Sequence, residues 1–237
     1  MNYFVTGGTG FIGTHLINLL HEVHPEAKIY NLDIIKPGTS PLSVRNYKPV
    51  LKEGECLSTF IYCDVRQPIE LEKVNITPDD VIFNFAAVHR TPGHPDHEYF
   101  ETNICGAENV CAFAERYGIK KIVFTSSIAP YGAAEELKEE TTLPTPNTPY
   151  GISKLVAEKI HMIWQAKDAS KRQLTVVRPG VVFGKGENGN FTRLYWGIRK
   201  HKFMYPGRKD TIKACIYVKE LVRFMLYRLE HHEQGVE

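Results

Sequence analysis

The chain contains no run of 18 apolar residues, so no segment of it is expected to cross a membrane as a helix. The first strand pattern starts two or three residues after Met1, which leaves no room for a secretory leader. Five cysteines, Cys56, Cys63, Cys105, Cys111 and Cys215, are scattered, odd in number and never in CxxC spacing. That argues against a disulfide framework and fits a reducing, cytoplasmic setting. No metal site is expected, and His231-His232 reads as a surface pair. Excess charge of one sign is missing too: 29 Lys and Arg against 27 Asp and Glu give +2. This balance gives no ground for a nucleic-acid partner, and none is expected. Repeats and low-complexity stretches are absent. What remains is an ordinary globular composition, 43% hydrophobic and 24% charged. At 237 residues the chain can hold one large α/β domain, or one domain and part of another.

Glycine is concentrated where it matters. Tyr3-Phe4-Val5 reads as a strand, Gly7, Gly8, Gly10 and Gly13 follow, and Phe11, Ile12, His15, Leu16, Leu19 and Leu20 recur at helical spacing. In a strand–turn–helix context this pattern predicts a dinucleotide site. Gly7 permits the tight turn, Gly10 lets the backbone approach a pyrophosphate, and Gly13 lets the helix pack close to the strand. The pyrophosphate would sit on the amides at the positive end of the helix. An ordinary strand–helix turn would gain nothing from four glycines. The next strand, Lys28 to Asp33, ends in an acid about 20 residues on. A carboxylate there accepts hydrogen bonds from both ribose hydroxyls of NAD and repels the 2′-phosphate of NADP.

Strand and helix patterns alternate along the rest of the chain, which predicts a parallel sheet covered by helices on both faces. Residues 36–56, with Pro37, Gly38, Pro41, Pro49 and Gly54, read as an irregular excursion with room for a short helix. Strands are expected at 58–64, 81–87, 121–126 and 174–178, and helices at 97–117, ended by Gly118, and 149–167. A loop with Pro92, Gly93 and Pro95 lies ahead of the first of these helices, and a proline-bearing loop at 130–148 ahead of the second. The last part looks like a small appendage: helix 190–202, strand 212–218 and helix 219–229. Arg193, Arg199, Lys200, Lys202, Arg208, Lys209 and Lys213 crowd it, mostly as solvated surface, with one or two available for a phosphate.

A Tyr four residues before a Lys occurs three times, at 117/121, 150/154 and 205/209. Gly118 splits the first pair and Pro206-Gly207 the last. Only Tyr150 and Lys154 share one face of a continuous helix, with Thr148 as N-cap and Pro149 at the first position. The helix dipole and the lysine cation together are expected to draw the tyrosine pKa from about 10 towards neutrality, as a general base requires. Thr125-Ser126-Ser127 ends a strand, and ligands of open parallel sheets bind outside the carboxyl ends of strands.

With these motifs in this order, the sequence resembles the extended short-chain dehydrogenase/reductase family, the NAD-dependent nucleotide-sugar epimerases and dehydratases. The resemblance runs along essentially the whole chain. It rests on residues 6–13 (TGGTGFIG), Cys63-Asp64-Val65-Arg66, Asn84-Phe85-Ala86-Ala87, Thr125-Ser126-Ser127 before Tyr131-Gly132, Tyr150-Gly151-Ile152-Ser153-Lys154 and Arg178 to Gly184. It implies a Rossmann-like doubly wound parallel sheet with a small C-terminal substrate-binding appendage. Residues 1–180 would form the NAD-binding domain carrying the catalytic Ser/Tyr/Lys. Residues 181–237 would form a partial or shortened substrate-binding region interleaved with it.

In that family's roles, Ser127 would be the catalytic hydroxyl and Tyr150 the acid/base. Lys154 would hold the nicotinamide ribose and lower the Tyr150 pKa. Gly7, Gly10, Phe11, Ile12, Gly13 and Asp33 would bind the cofactor, Asp64 and Val65 its adenine, and Ala86 and Ala87 its nicotinamide side. Substrate contacts are expected from His89, Asn190, Arg193 and Lys213, the last standing where relatives place an arginine on the diphosphate. A lysine there lacks the bidentate geometry of arginine.

Other departures narrow the reading. Ser127-Ile128-Ala129 replaces the acids with which 4,6-dehydratases eliminate water, so dehydration is not expected. Pro130 stands for the usual valine and Glu220 for an aspartate, and relatives run longer. The expected activity is epimerisation of a nucleotide-diphosphate sugar at C4. The alternatives are a reductase or dehydrogenase with net redox, and a non-catalytic NAD sensor or scaffold. A homodimer through helices 97–117 and 149–167 is expected, with Phe113, Val156, Ile160 and Ile163 as its apolar face.

Overall fold

The computed structural model describes residues 1–38, 57–89, 93–133, 136–187, 189–204, 207, 210, 212–232 and 235–236. The expected excursion at 36–56 falls outside this set from residue 39 on. Cys56, Arg90 to Pro92 and the Tyr205/Lys209 pair with Pro206 and Arg208 are outside it too.

Six strands form one parallel sheet: β1 (Asn2–Thr6), β2 (Lys28–Asp33), β3 (Thr59–Tyr62), β4 (Val81–Asn84), β5 (Lys121–Thr125) and β6 (Gln173–Val177). Their spatial order is β3-β2-β1-β4-β5-β6. The chain therefore builds outward in one direction from β1, then returns and builds in the other from β4. The carboxyl ends of β1 and β4 frame the switch point, where open α/β sheets take ligands.

Alternate side chains of each strand enter opposite layers, as the two-residue period requires. Phe4 of β1, Ile82 of β4 and Phe124 of β5 pack with α2 (Asp96–Tyr117) and α3 (Pro149–Ala166), through Val110, Phe113, Ala157 and Trp164. Tyr3, Val5, Val81, Phe83 and Val123 pack with α1 (Phe11–Val23) and α5 (Val218–Glu230), through Leu16, Leu20, Leu221 and Met225. Burial on both faces is why these strands read as apolar runs. Gly118 ends α2 as expected, at φ +67°, its amide reaching Ala114 O and Glu115 O. Between β5 and α3 lies a 3-10 turn, Ala129–Tyr131.

The appendage holds α4 (Asn190–Arg199) and a parallel pair, β7 (Val181–Phe183) with β8 (Cys215–Tyr217). Strand β7 carried no strand signal of its own, being three half-buried residues inside the Arg178–Gly184 motif. Strand β8 is shorter than the expected 212–218 because Val218 already starts α5. Strand β4 stops at Asn84 rather than at residue 87. The Phe85 amide still reaches Thr6 O, and then Ala86 turns over the β1–α1 loop. Among the described residues no helix is long and apolar enough to cross a membrane.

Candidate active site at the switch point

The three glycines assigned to the cofactor turn are needed for different reasons. Gly7 sits at φ +68°, and a Cβ there would lie 2.8 Å from Ala86 N. A Cβ on Gly13 would lie 2.6 Å from both Gly7 O and Gly8 Cα, so α1 can touch the turn only through a glycine. A Cβ on Gly10 would meet Gly7 O at 3.1 Å and nothing else within 4 Å, so this glycine keeps the mouth of the turn open. Gly10 caps α1 without a side-chain bond, and the first helical bond is Thr14 N to Gly10 O. The amides of Phe11, Ile12 and Gly13 precede that bond, as the first amides of any helix do. An open mouth, a glycine cradle and a helix N-terminus together fit a pyrophosphate.

The Asp33 carboxylate lies against the same turn, accepting from Thr9 N at 3.0 Å and Ile35 N at 2.9 Å. Burial pushes its pKa up, and these amide bonds pull it back. Farther along the edge, Arg66 grips Asp64 through Nε and Nη2, the shortest bond being 2.6 Å, and holds the Asp64 carboxyl below the usual range. Val65 is buried against Gly106 of α2, and its carbonyl accepts from Asn109 Nδ2 at 2.8 Å.

Sequence reasoning missed Asn103, a buried amide in the middle of α2. Its Oδ1 accepts from Val88 N at 2.9 Å, and its Nδ2 donates to Val88 O at 3.1 Å and to Ser153 Oγ at 2.8 Å. Ser153 Oγ in turn donates to Tyr150 O. The loop holding Ala86, Ala87 and His89 is thus tied to the helix holding Tyr150. A buried Asn in a helix interior is the signal that was available.

Helix α3 starts as its sequence predicts: Thr148 Oγ1 accepts from Gly151 N at 3.0 Å, and Pro149 follows. Tyr150 stands in this first turn, where the Ser127 hydroxyl is near enough to favour its ionised form, while Ser127 Oγ accepts from Ala129 N at 3.1 Å. Lys154 is fully buried, its Nζ donating to Thr125 O at 2.8 Å and lying 4.9 Å from the Phe124 ring centre. Burial takes its pKa down to about 7, against the pull of Glu158. The Tyr150 pKa moves opposite to expectation. Burial raises it, and the nearby Ser127 hydroxyl opposes that only in part. The structure therefore joins Ser127, Tyr150 and Lys154 at the end of β5 without the acidified phenol that the helix position alone suggested.

The remaining expected residues lie elsewhere. His89 is exposed beyond Val88. Asn190 and Arg193 pair with each other on the surface of α4, Arg193 Nη2 to Asn190 Oδ1 at 2.5 Å, and Lys213 is exposed ahead of β8. A depression of about 300 Å³ beside them is lined by Phe183, Gly184, Glu187, Phe191, Thr192 and Tyr195.

Residues 3–237 match the model of the NAD dependent epimerase/dehydratase family. The chain belongs to that family. It is 33% identical over 236 residues to an N-acetyl-alpha-D-glucosaminyl-diphospho-ditrans,octacis-undecaprenol 4-epimerase of Escherichia coli O157:H7, covering all of this chain and 65% of that protein. It is 34% identical over 177 residues to UDP-glucose 4-epimerase 3 of Oryza sativa subsp. japonica, covering 71% of this chain and 46% of that one. The chain thus spans about half to two thirds of the length of these curated relatives. Among solved structures it resembles a UDP-N-acetylglucosamine 4-epimerase from Methanobrevibacter ruminantium M1 in complex with UDP-N-acetylmuramic acid. The TM-score is 0.81 at 25% identity, over 99% of this chain and 74% of that one. Its fold also matches a UDP-glucuronic acid 4-epimerase from Bacillus cereus in complex with NAD, with a TM-score of 0.81 at 23% identity, over 100% of this chain and 76% of that one.

Beneath this site His161 is fully buried and neutral. Its Nδ1 donates to Ala157 O at 2.7 Å and its Nε2 accepts from Asn84 Nδ2 at 3.2 Å. Its pKa is lowered to about 4 from 6.5, burial being the largest cause. A depressed folded-state pKa costs nothing above pH 6.5 and costs progressively more as pH falls towards 4. The wild type is expected to lose stability on the order of 3 kcal/mol through this residue over that window, and His161→Gln to lack this part of the loss. Urea unfolding of both proteins across the window measures the difference, and parallel curves would contradict it.

Proposed function

We propose that the chain works as an NAD-dependent epimerase that inverts C4 of a nucleotide-diphosphate sugar through a 4-keto intermediate. Residues 1–180 would serve as the cofactor domain and 181–237 as a shortened substrate-binding region. The observation that carries this reading is that the carboxyl edge of one sheet holds both the open glycine turn with Asp33, at β1 and β2, and Ser127 with the α3 face of Tyr150 and Lys154, at β5. Relatives named as 4-epimerases support it, and so does the lack of an acid at Ser127-Ile128-Ala129.

In this reading Gly7, Gly10 and the amides of Phe11, Ile12 and Gly13 receive the pyrophosphate. Asp33 takes the adenosine ribose, Asp64 and Val65 the adenine, and Ala86 and Ala87 the nicotinamide side. NAD would supply the acceptor and donor of the C4 hydride, and the 4-keto sugar would turn over in the site between the two transfers so that its other face receives the hydride, inverting C4 with no net redox. Tyr150 would take the proton of the 4-hydroxyl as a phenolate, its buried phenol ionising only with a cation such as Lys154 beside it, and would later return the proton, while Ser127 donates to the same sugar oxygen. Lys154 holds the nicotinamide ribose and adds positive charge beside the phenol. His89, Asn190, Arg193 and Lys213 are proposed for the sugar and its diphosphate. Cys63, Cys105, Cys111 and Cys215 are unpaired, in keeping with the cytoplasmic setting of this reading.

The expected dimer face needs one correction. Phe113 is buried, in edge contact with Phe4 at 5.5 Å, and Ile160 packs on the same core. Of the expected residues Val156 and Ile163 do point outward from α3; Ile152, not among them, is exposed on that helix too, and the three are proposed to meet a second copy. Light scattering at micromolar concentration is expected to give twice the mass of the chain, and a single-chain mass would remove this proposal.

Two outcomes test the activity. Incubated with UDP-, GDP- and dTDP-sugars and no added cofactor, the protein is expected to interconvert one C4-epimeric pair, and Tyr150→Phe to lower turnover by roughly 10²–10⁴ with NAD affinity kept. Conversion only with stoichiometric NAD(P)H would make it a reductase, and full turnover in Tyr150→Phe would end the mechanism. NAD is expected to bind at least about tenfold more tightly than NADP, because the Asp33 carboxylate opposes a 2′-phosphate. Equal affinities by calorimetry would take Asp33 off the ribose.

A further inference from the structure

One turn beyond Lys154 on the same face of α3 stands Glu158, 1% exposed. A buried carboxylate needs full hydrogen bonding or a counter-ion, and Glu158 has both. Its Oε1 accepts from Ser126 Oγ at 2.5 Å and Arg178 Nε at 2.8 Å, and its Oε2 accepts from Arg178 Nη2 at 2.6 Å. Arg178, at the end of β6, uses its remaining Nη1 on the Tyr131 hydroxyl at 2.6 Å and stacks on that ring at 4.9 Å. Ser126 is the residue between Thr125, whose carbonyl holds Lys154, and Ser127, whose Oγ accepts from Ala129 N. Glu158 therefore touches the strand end that carries the site, and it lies on the helix that carries the rest of it.

We propose that Glu158 is a positioning residue: its carboxylate, one helical turn away, favours the charged form of the buried Lys154 amine, and its bonds to Ser126 and Arg178 fix the strand end that presents Ser127. This rests on the reading in which Lys154 binds the nicotinamide ribose as a cation. The groups around that cation are few. Tyr150 precedes it and Glu158 and His161 follow it on α3, and Tyr99 of α2 lies against Tyr150 at 6.3 Å between ring centres. Arg178 and Tyr131 stand behind Glu158, and the near strand end offers the Thr125 carbonyl and the Phe124 ring. Glu158 is the carboxylate among them, and His161 is neutral near pH 7. Burial alone drives Lys154 towards the neutral amine, and Glu158 opposes that. The Arg178 guanidinium shares the Glu158 charge, so the two residues set the lysine in opposite senses.

The test is NAD affinity by calorimetry from pH 5.5 to 9 on the wild type, Glu158→Gln, Arg178→Gln and Lys154→Met. Loss of the lysine proton should weaken binding as pH rises, giving an alkaline limb. Glu158→Gln is expected to move that limb down by about one pH unit, which is about tenfold weaker binding on the limb. Arg178→Gln frees the carboxylate towards Lys154 and is expected to move the limb up. Opposite shifts are not produced by a general loss of packing, and Arg178→Gln decides alone if Glu158→Gln does not fold. A limb that stays in place, or moves the same way in both variants, overturns the proposal. A Lys154→Met protein that binds NAD like the wild type, alkaline limb included, overturns instead the underlying reading of Lys154.

Discussion

The architecture depends on one backbone contact, the meeting of the β1–α1 turn with the loop that leaves β4. Gly7 and Ala86 approach so closely that a single Cβ would separate them, and Gly13 brings α1 equally close to Gly7 and Gly8. Because β1 and β4 are neighbours at the switch point, this contact sets the floor of the cleft between the two halves of the sheet. Everything proposed for the cofactor lies on the rim of that contact: Asp33 on one side, Ala86 and Ala87 on the other, the start of α1 between them. A side chain at either glycine would alter the sheet's central junction as well as the turn.

A second layer of order lies under Ser127, Tyr150 and Lys154 and is polar. Thr6 Oγ1 donates to Asn84 Oδ1 at 2.7 Å, and Asn84 reaches His161. Asn103 joins Val88 to Ser153, and Glu158 joins Ser126 to Arg178. Each chain links a strand end to α3, and together they hold that helix at β1, β4, β5 and β6. Buried polar groups are costly unless their partners are complete, so α3 has few alternative seats. The seat of Tyr150 and Lys154 is set by these neighbours more than by the exposed loops above them.

The parts of the molecule legible in the sequence are those where one local rule dominates. Glycine spacing, apolar strands buried on both faces, the Thr148-Pro149 helix start and the Gly118 stop each have a local signature. The rest depended on distant partners. Strand β7 exists only because β8 lies beside it. Strand β4 ends early because Ala86 must cross the glycine turn. Phe113 and Val156 both sit on apolar stripes, and only the packing of α2 on the sheet sends Phe113 inward. The Tyr150 pKa was misjudged for a similar reason: dipole and lysine could be read from spacing, but the depth at which the fold buries the hydroxyl could not. Glu158 had a signal in its position one turn beyond Lys154, and its meaning appeared only when Arg178 and Ser126 were found beside it.

Helix α5 shares its core with the first strand of the chain: Leu221, Val222 and Met225 pack in one cluster with Tyr3, Val5, Leu16 and Leu20. On the ribosome, β1 and α1 emerge long before α5 exists. Until then α1 alone covers that face of the nascent sheet, and the apolar side chains that α5 will cover stay open to water or to a chaperone. The face covered by α2 and α3 can close earlier. Synthesis of this protein therefore has a built-in order, with the cofactor turn present first and the layer beneath it sealed late.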